Sequence, residues 1–398
     1  MSINLNDQLR IFKEGTVDLI SEEELRQKLE LKRPLRIKYG ADPSTADLHL
    51  GHTVPLRKLK QLQALGHQIV FIIGDFTARI GDPSQRNEMR PMLLPEEVKQ
   101  NAQTYEVQVF KILDRRKTEV RYNSEWLDQM KPQDFLNLTS QYTVARLLER
   151  DDFQNRYNSK QPIALIEFLY PLLQGYDSVV VKSDVELGGT DQKFNLLVGR
   201  ELQKVWNQKS QTVMTLPLLE GTDGIRKMSK SFANAVNIND SPREIFGKVM
   251  SIPDSLIPRY FQYASGMSAQ EYQPIVEKIF PNDPREAKAK LGEQIVSLYH
   301  GKEKGAQARE EFDRIFRDKG LPDEIQTVAL SQTSLDIVSL LLEAGLVLSK
   351  SEGRRLIQQG GVKIEQTKIT DQDHKVQLTR KPILVQCGKR KFARIQLQ

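Results

Sequence analysis

The sequence predicts an α/β fold in which a parallel sheet with flanking helices is followed by a helical region and a small α+β region. The first sign is a strand–helix–strand pattern: residues 35–39 alternate as in a strand, residues 54–65 are amphipathic and end at Gly66, and residues 69–73 are continuously apolar. The other two signs are a series of helix-start patterns in mid-chain and a basic C-terminal segment of mixed helical and strand patterns. A βαβ unit predicts a parallel sheet of the Rossmann type.

A second strand is predicted over residues 178–182, ahead of the adjacent glycines Gly188 and Gly189. Because glycine has no side chain, such a pair allows the backbone to approach a ligand closely. We assign residues 1–238, which contain both strand segments, to the parallel-sheet domain.

Helix-start signals follow at Ser241, Ser268 and Asp283, each three residues before a glutamate. Two of the three also have proline at the first helical position, which suits a helix N-terminus. This series of helix-start signals predicts a helical domain over residues 239–325.

The end of the chain is predicted to be a separate small domain. Gly320-Leu321-Pro322 leads into a predicted linker at 326–334, and residues 335–398 follow. The predicted elements of this last domain are helices over 335–343 and 349–359 and strands over 362–364 and 383–386.

The net charge is concentrated at the C-terminus. The chain has 58 Lys plus Arg and 52 Asp plus Glu, a net charge of +6, and residues 330–398 alone hold 12 basic against 6 acidic residues. This asymmetry predicts contact with a polyanion; a solvated lysine-rich tail is the alternative.

Composition also excludes several classes of protein. Cys387 is the only cysteine, which excludes an internal disulfide, and the five histidines lack zinc-ligand spacing, so we expect no metal held by the protein. The apolar runs are strand-sized, and charged residues near the N-terminus disfavour a signal peptide. We therefore expect a cytoplasmic protein that makes no contact with membranes.

Two short segments contain side chains suited to phosphate chemistry. In His49-Leu50-Gly51-His52 the histidines are three apart at a strand-to-helix turn, where imidazole N–H groups and the helix dipole suit charge growing on a phosphate. In Lys227-Met228-Ser229-Lys230-Ser231 two lysines lie in a loop of small residues, where they suit a departing pyrophosphate. Surface histidines and an exposed basic turn are the alternatives. No Gly-Lys segment completes a P-loop.

Together these segments resemble the signature pair of class I aminoacyl-tRNA synthetases. Residues 42–43, 80–84, 173–177 and 188–192 follow the order found in bacterial tyrosyl-tRNA synthetases, and the similarity covers essentially the whole chain. The resemblance implies a catalytic parallel-sheet domain, a helical anticodon-recognition domain and a basic RNA-binding domain. It also implies formation of tyrosyl-adenylate from L-tyrosine and ATP with Mg²⁺, and transfer of tyrosine to the 3′ end of its tRNA by a homodimer.

The same resemblance implies roles for individual residues. The α-ammonium of tyrosine would contact Asp82, Tyr170 and Gln174, its carboxylate Gln192, and its phenol hydroxyl Asp177. His49, His52, Lys227 and Lys230 would stabilise the transition state. The implied ATP contacts, besides His52 and Lys230, are Asp42, Gly51, Gly189, Asp191 and Met228, with Arg86 and Arg90 at the pyrophosphate.

Spacing supports one of these sets independently. Tyr170, Gln174 and Asp177 are four and then three residues apart, hence on one face of a helix. Pro171 would either start that helix or kink it.

One position departs from the family. Many tyrosyl-tRNA synthetases have a second phenol-binding tyrosine where this chain has Lys38, next to Tyr39. Adjacent strand residues point to opposite faces, so Tyr39 replaces that tyrosine only if the strand bulges or the alignment slips.

The C-terminal segment resembles a small RNA-binding domain first described in a ribosomal small-subunit protein. Its candidate phosphate contacts are Lys350, Arg354, Arg355 and Lys363. Two alternatives remain at this stage: a tryptophan-specific relative, which Asp177 disfavours because indole has no hydroxyl, and a non-catalytic RNA-binding paralogue.

Overall fold

The computed structural model describes residues 4–43, 47–84, 94–316, 325–388 and 391–398. The chain divides into two compact units, Met1–Gly305 and Ala306–Gln398. The boundary expected between residues 238 and 239 therefore lies inside the first unit, and the one at Gly320–Pro322 lies outside the described residues.

A six-stranded sheet forms the centre of the first unit, in the order β1-β6-β5-β2-β3-β4. Five strands are parallel and β1 pairs antiparallel with β6, so the predicted parallel sheet is confirmed. The strands are β1 Asp18–Ile20, β2 Arg36–Ala41, β3 Gln68–Ile73, β4 Thr118–Tyr122, β5 Val185–Gly189 and β6 Thr212–Leu216.

Helices pack around this sheet. They are α1 Leu5–Lys13, α2 Glu22–Glu30, α3 Leu50–Ala64, α4 Thr77–Ile80, α5 Pro95–Val109, α6 Ser124–Leu127, α7 Pro132–Thr139, α8 Val144–Leu147, α9 Asp151–Asn158, α10 Leu165–Val180 and α11 Lys193–Val205. Short 3₁₀ turns cover Arg115–Lys117, Thr190–Gln192, Lys230–Phe232 and Asp254–Leu256.

The strand predicted over residues 178–182 is wrong. Residues 178–180 are the last turn of α10, and the strand begins only at Val185. A short buried apolar run does not distinguish a strand from a buried helix segment, and here packing of α10 against α11 decides for the helix.

Helices continue after the sheet, as predicted. Ser241 and Asp283 each accept a hydrogen bond from the backbone N–H of the glutamate three residues on, and Ser268 forms a capping box with Glu271. The helices are α12 Pro242–Met250, α13 Ile257–Tyr263, α14 Ala269–Pro274, α15 Pro284–His300 and α16 Lys302–Phe316, with a π-helical turn at Ile275–Ile279.

The second unit contains most of α16, which was predicted to belong to the helical domain, and the predicted small α+β region. Its five-stranded sheet has the order β10-β9-β12-β13-β7, and β8 and β11 form a separate pair. Ile337, Leu340, Ile357, Val385 and Ile395 are fully buried in its core. The elements are β7 Thr327–Leu330, β8 Ser334–Asp336, α17 Ile337–Glu343, α18 Lys350–Gln358, β9 Val362–Ile364, β10 Thr367–Ile369, β11 Lys375–Gln377, β12 Ile383–Cys387 and β13 Lys391–Leu397.

Residues 326–334, expected to be a linker, contain an edge strand instead. β7 pairs in parallel with β13, and Val328 and Leu330 pack against the core of the second unit. Their period-two apolar pattern, too short to stand out in the sequence, explains the strand.

The topology of the first sheet positions a binding site. The chain runs outward from β2 through β3 to β4 and then returns to place β5 on the other side of β2. Ligands of such sheets bind at the carboxyl ends of the strands beside this reversal. Asp42 and the histidine segment follow β2, and Gly189 ends β5.

Two features are absent from the described residues. None of their helices is both long and apolar enough to span a membrane. They also contain no group of three or more His, Cys, Asp or Glu side chains placed to hold a metal ion.

Candidate active site

A cavity of about 830 Å³ opens at the carboxyl ends of β2 and β5. Every described residue that the sequence assigned to tyrosine or ATP lines it, whereas Arg86 and Arg90 lie outside the described residues. These lining residues are Tyr39, Asp42, His49, Gly51, His52, Asp82, Tyr170, Gln174, Asp177, Gly189, Asp191, Gln192, Lys227, Met228 and Lys230.

The two histidines lie at the first turn of α3. This helix begins at Leu50, not at residue 54 as predicted, and Pro55 lies in its interior. The backbone N–H of His49 donates to Nδ1 of His52 at 3.2 Å, and the two rings stack with centroids 3.7 Å apart. A Cβ at Gly51 would lie 3.0 Å from the His49 ring, so glycine is needed for this approach.

Both histidines are neutral donors in this site. Burial, followed by Lys227, lowers the pKa of His52 to about 4. Burial, followed by His52, lowers the pKa of His49 well below its ordinary value. Nδ1 of His49 is buried and has no hydrogen-bond partner within the described part of the chain. The pair can therefore offer N–H groups to an anion without carrying charge.

A short antiparallel bridge brings the two signature segments together. The N–H of Leu50 donates to the Val236 carbonyl at 2.9 Å, and the N–H of Ile238 donates to the Leu48 carbonyl at 2.9 Å. Because this bridge follows the lysine loop by a few residues, it holds that loop beside the histidines.

Asn234 shapes the lysine loop. Its Oδ1 accepts from the N–H of Ser229 at 2.8 Å, and its Nδ2 donates to the Lys227 carbonyl at 3.2 Å. Nζ of Lys227 lies 3.0 Å from Oδ2 of Asp191, while Lys230 is exposed. Sequence reasoning missed Asn234, which lies three residues beyond the signature.

The predicted helical face is confirmed at the other end of the cavity. Pro171 lies inside α10 without ending it, and Tyr170, Gln174 and Asp177 all point to the cavity. The Tyr170 hydroxyl donates to Oδ2 of Asp42 at 2.8 Å.

Asp177 is buried beneath this end of the cavity. Nε1 of Trp126 donates to its Oδ1 at 2.9 Å, and Nδ2 of Asn123 lies 3.4 Å from Oδ2. Burial raises the pKa of Asp177 to about 7, although Lys38 and the two hydrogen bonds lower it. Sequence reasoning missed Asn123 and Trp126; their position directly after β4, at the carboxyl edge of the sheet, is a signal that could have found them.

Lys38 does not face the cavity. Its side chain is fully buried, with Nζ 2.7 Å from Oε1 of Glu186, its cross-strand neighbour on β5. Nζ also donates to the Gln174 carbonyl at 2.8 Å and to Oγ of Ser178 at 2.7 Å. Strand β2 pairs in regular register here, so Tyr39 points to the opposite face, where it lines the cavity and packs against Phe71.

The candidate RNA contacts lie in the second unit. Lys350, Arg354 and Arg355 are exposed on α18, whose N-cap is Ser349, and Lys363 is half-buried on β9. Three of the four predicted residues therefore share one short helix.

Two models of known protein families together match almost the whole chain. The family model of class I tRNA synthetases (W and Y) matches residues 30–317, and a model of the tyrosine–tRNA ligase SYY-like C-terminal domain matches residues 318–395. Among solved structures, a tyrosyl-tRNA synthetase from Archaeoglobus fulgidus complexed with L-tyrosine has a TM-score of 0.63 at 23% identity, covering 77% of this chain and all of the other. A C-terminally truncated mitochondrial tyrosyl-tRNA synthetase from Aspergillus nidulans has a TM-score of 0.65 at 20% identity, covering 77% of this chain and 94% of the other. Both support the fold.

Curated relatives are much more similar in sequence. The tyrosine–tRNA ligase of Thermotoga maritima is 52% identical over 98% of this chain and 97% of its own. That of Geobacter sulfurreducens is 51% identical over 99% of both chains. These relatives disfavour the tryptophan-specific and non-catalytic alternatives. The chain belongs to the class I tRNA synthetases of the tryptophan and tyrosine group, and its activity is that of a tyrosine–tRNA ligase.

Proposed function

We propose that tyrosine and ATP divide this one cavity between its two ends. Tyrosine occupies the end lined by α10, and ATP lies between the histidine and lysine segments. The carboxylate oxygen of tyrosine attacks the α-phosphorus, the bond to pyrophosphate breaks, and tyrosyl-adenylate forms. The observation that carries this proposal is that both signature segments and Asp177 border a single cavity. No protein nucleophile is needed, because alignment and charge stabilisation suffice.

At the far end, the Asp177 carboxylate accepts a hydrogen bond from the phenol hydroxyl of tyrosine. Trp126 and Asn123 already donate to this carboxylate, which fixes its orientation. Phenylalanine would leave the buried group without that donor, so it binds poorly. The expected discrimination is roughly 10⁵-fold, a value for which tyrosyl-tRNA synthetases are themselves the standard example. Tyr39 lines the cavity from the opposite face of β2.

The charged groups of tyrosine lie nearer the centre of the cavity. Asp82 holds the α-ammonium together with Tyr170 and Gln174, and Gln192 contacts the carboxylate. Gln192 already donates from Nε2 to Oδ2 of Asp82 at 2.7 Å, which supports a single site for both groups.

ATP enters as its Mg²⁺ complex. Asp191 and the backbone of Gly189 hold the ribose, His49 and His52 donate to the α-phosphate, and Lys227 and Lys230 stabilise the leaving pyrophosphate. The other residues proposed to contact ATP are Asp42, Gly51 and Met228, with Arg86 and Arg90 at the pyrophosphate. The neutral state of the histidines supports this role, since a neutral imidazole donates without repelling Mg²⁺.

The second step transfers tyrosine to the 3′ end of its tRNA. Residues 239–325 would contact the anticodon region, and residues 335–398 would bind phosphates through α18. We also propose a cytoplasmic homodimer. Several large apolar side chains support the dimer because they are exposed on consecutive helices of the first unit: Leu136, Val144, Tyr157 and Leu165.

The first step is tested by amino-acid-dependent exchange of pyrophosphate into ATP. We expect exchange with tyrosine and little with phenylalanine or tryptophan. Exchange with tryptophan alone would remove Asp177 from the phenol role, and exchange with no amino acid would contradict the ligase.

The RNA role is tested in the full chain by changing Lys350, Arg354 and Arg355 together to glutamine. Pyrophosphate exchange should be unchanged, whereas tRNA charging should weaken and lose salt dependence, by roughly 0.7–0.9 in log–log slope for each phosphate contact removed. Equal loss of both steps would contradict this division of labour.

A further inference from the structure

A buried arginine lies directly behind the proposed ammonium site without lining the cavity. The Arg150 side chain is only 5% exposed. One guanidinium nitrogen donates to Oγ of Ser84 at 2.6 Å and lies 3.7 Å from Oδ1 of Asp82, a second donates to Oδ1 of Asn195 at 3.2 Å, and the third pairs with Asp152 at 2.8 Å. This cation is thus fully engaged with the groups that surround the amino-acid end.

Asn195 connects Arg150 by hydrogen bonds to two amide side chains that line the cavity. Its Nδ2 donates to Oε1 of Gln174 and to Oε1 of Gln192, each at 3.0 Å. Because a guanidinium can only donate, Arg150 requires the oxygen of Asn195 to face it, which turns the NH₂ group toward both glutamines. The orientation of Gln174 and Gln192 therefore depends on Arg150.

Ser84 connects Arg150 to Asp82 by a second set of hydrogen bonds. Its hydroxyl donates to Oδ1 of Asp82 at 2.6 Å and its N–H donates to the same oxygen at 2.9 Å. Burial raises the pKa of Asp82, but Arg150 and the hydrogen bonds from Ser84 and Gln192 outweigh it, so the pKa lies below its ordinary value. Asp82 thus stays ionised despite its surroundings.

We propose that Arg150 is the positioning residue of the amino-acid end: it holds the charge of Asp82 and, through Asn195, sets the direction of Gln174 and Gln192. Arg150 lies between the carboxyl groups of Asp82 and Asp152, so the cluster holds one cation beside two acidic side chains where the ammonium would bind. The inference rests on the proposed function, because it takes Asp82 as the ammonium contact.

Two fragments of tyrosine separate this role from a general effect on folding. Tyramine has the ammonium and lacks the carboxylate, whereas 3-(4-hydroxyphenyl)propionate has the carboxylate and lacks the ammonium. Both are measured as competitive inhibitors of tyrosine in pyrophosphate exchange. Arg150→Met should weaken inhibition by tyramine about tenfold or more, because a hydrogen bond to a charged group contributes about that much to binding. It should weaken inhibition by the propionate less, because only Gln192 contacts the carboxylate.

Further readouts distinguish positioning from structural damage. Arg150→Met should raise the KM for tyrosine, leave the KM for ATP unchanged and move the acidic limb of the pH profile of kcat/KM for tyrosine to higher pH. Arg150→Lys, which keeps the charge, should restore the pH profile but not the KM. Arg146→Met, at an exposed arginine nearby, is the matched control and should change neither.

The outcomes are separable even if Arg150→Met folds poorly. Asn195→Ser leaves Arg150 in place, removes the bridge to the glutamines and should raise the KM for tyrosine alone. Equal weakening of both fragments, or no change in either, overturns the role of Arg150. If Asp82→Asn weakens tyramine while Arg150→Met and Asn195→Ser do not, only the positioning role fails; if Asp82→Asn also has no effect, the proposed ammonium site itself fails.

Discussion

The two ends of the cavity differ in how far the protein has assembled them before a ligand binds. At the amino-acid end, Asp177, Asp82 and Gln174 each have hydrogen-bond partners from the protein. At the ATP end, Nδ1 of His49 is buried without a partner among the described residues, and Lys230 is exposed. The difference suggests that the protein already orients the side chains proposed to select tyrosine. The proposed catalytic donors, in contrast, gain hydrogen-bond partners only when ATP binds.

The same contrast explains what each end contributes to stability. The amino-acid end is backed by a buried ion pair and several buried hydrogen bonds, whose loss would destabilise the fold. The ATP end lies on a loop and at a helix terminus, where polar groups can change with little effect on the core. Substitutions at the amino-acid end should therefore affect stability as well as selectivity, whereas substitutions at the ATP end should affect rate alone.

The largest effect is expected for Asp177→Ala, which removes the proposed phenol contact. The ratio of kcat/KM for tyrosine to that for phenylalanine should fall by up to about 10⁵, the magnitude taken over from tyrosyl-tRNA synthetases as the standard example of the effect. Pyrophosphate exchange with both amino acids measures it. Asp151→Ala, at an exposed aspartate, is the control, and a retained preference for tyrosine would show that selectivity lies elsewhere.

Next in size is Lys38→Met, which leaves Glu186 buried without its cation. Removing one partner of such a pair should lower the free energy of unfolding by about 3–5 kcal/mol. Both tryptophans, Trp126 and Trp206, lie in the first unit, so their fluorescence in a urea titration follows that unit alone. The double variant Lys38→Met/Glu186→Gln should recover much of the loss; a double variant less stable than the single one would contradict a charge-pairing role.

His49→Ala should instead lower rate without lowering stability. Loss of one preorganised donor costs about 10²–10³ in kcat, which single-turnover formation of tyrosyl-adenylate measures. Tyrosine binding and the urea midpoint should be unchanged, as in His374→Ala at an exposed histidine of the second unit. A fall in stability comparable to that of Lys38→Met would remove the distinction between the two ends.

The last expected effect is a dependence of stability on pH. Because burial raises the pKa of Asp177 from 3.8 to about 7, the folded protein keeps a proton that the unfolded chain has released between these values. This carboxyl therefore makes stability fall as pH rises through that window, after which its contribution stays constant. Asp177→Asn removes the effect, so its urea midpoint relative to wild type should be higher at pH 8 than at pH 4. An unchanged difference would show that folding does not raise the pKa of Asp177.

Local sequence patterns predicted the elements but not their supporting contacts. The βαβ unit, the helix caps at Ser241 and Asp283 and the shared face of Tyr170, Gln174 and Asp177 depend on residue spacing, which sequence displays. Regular strand alternation also explains why Lys38 and Tyr39 point to opposite faces.

Residues that act through tertiary proximity had no such signal. Asn123 and Trp126 belong to α6 and its N-cap, Arg150 is the N-cap of α9 and Asn195 lies in α11, so their side chains reach the site only once the sheet and α10 are in place. The strand expected over residues 178–182 failed for the same reason, since packing against α11 rather than the local apolar run decides that segment. Sequence reasoning thus identified side chains that line the cavity and missed the residues that orient them.

The most direct test of this account is a calorimetric titration of L-tyrosine into the protein without ATP, for wild type, His49→Ala and Lys227→Ala. If the amino-acid end is complete before ATP binds, all three proteins should bind tyrosine with the same affinity. Failure of wild type to bind tyrosine in the absence of ATP, or a weaker affinity in either variant, would contradict it.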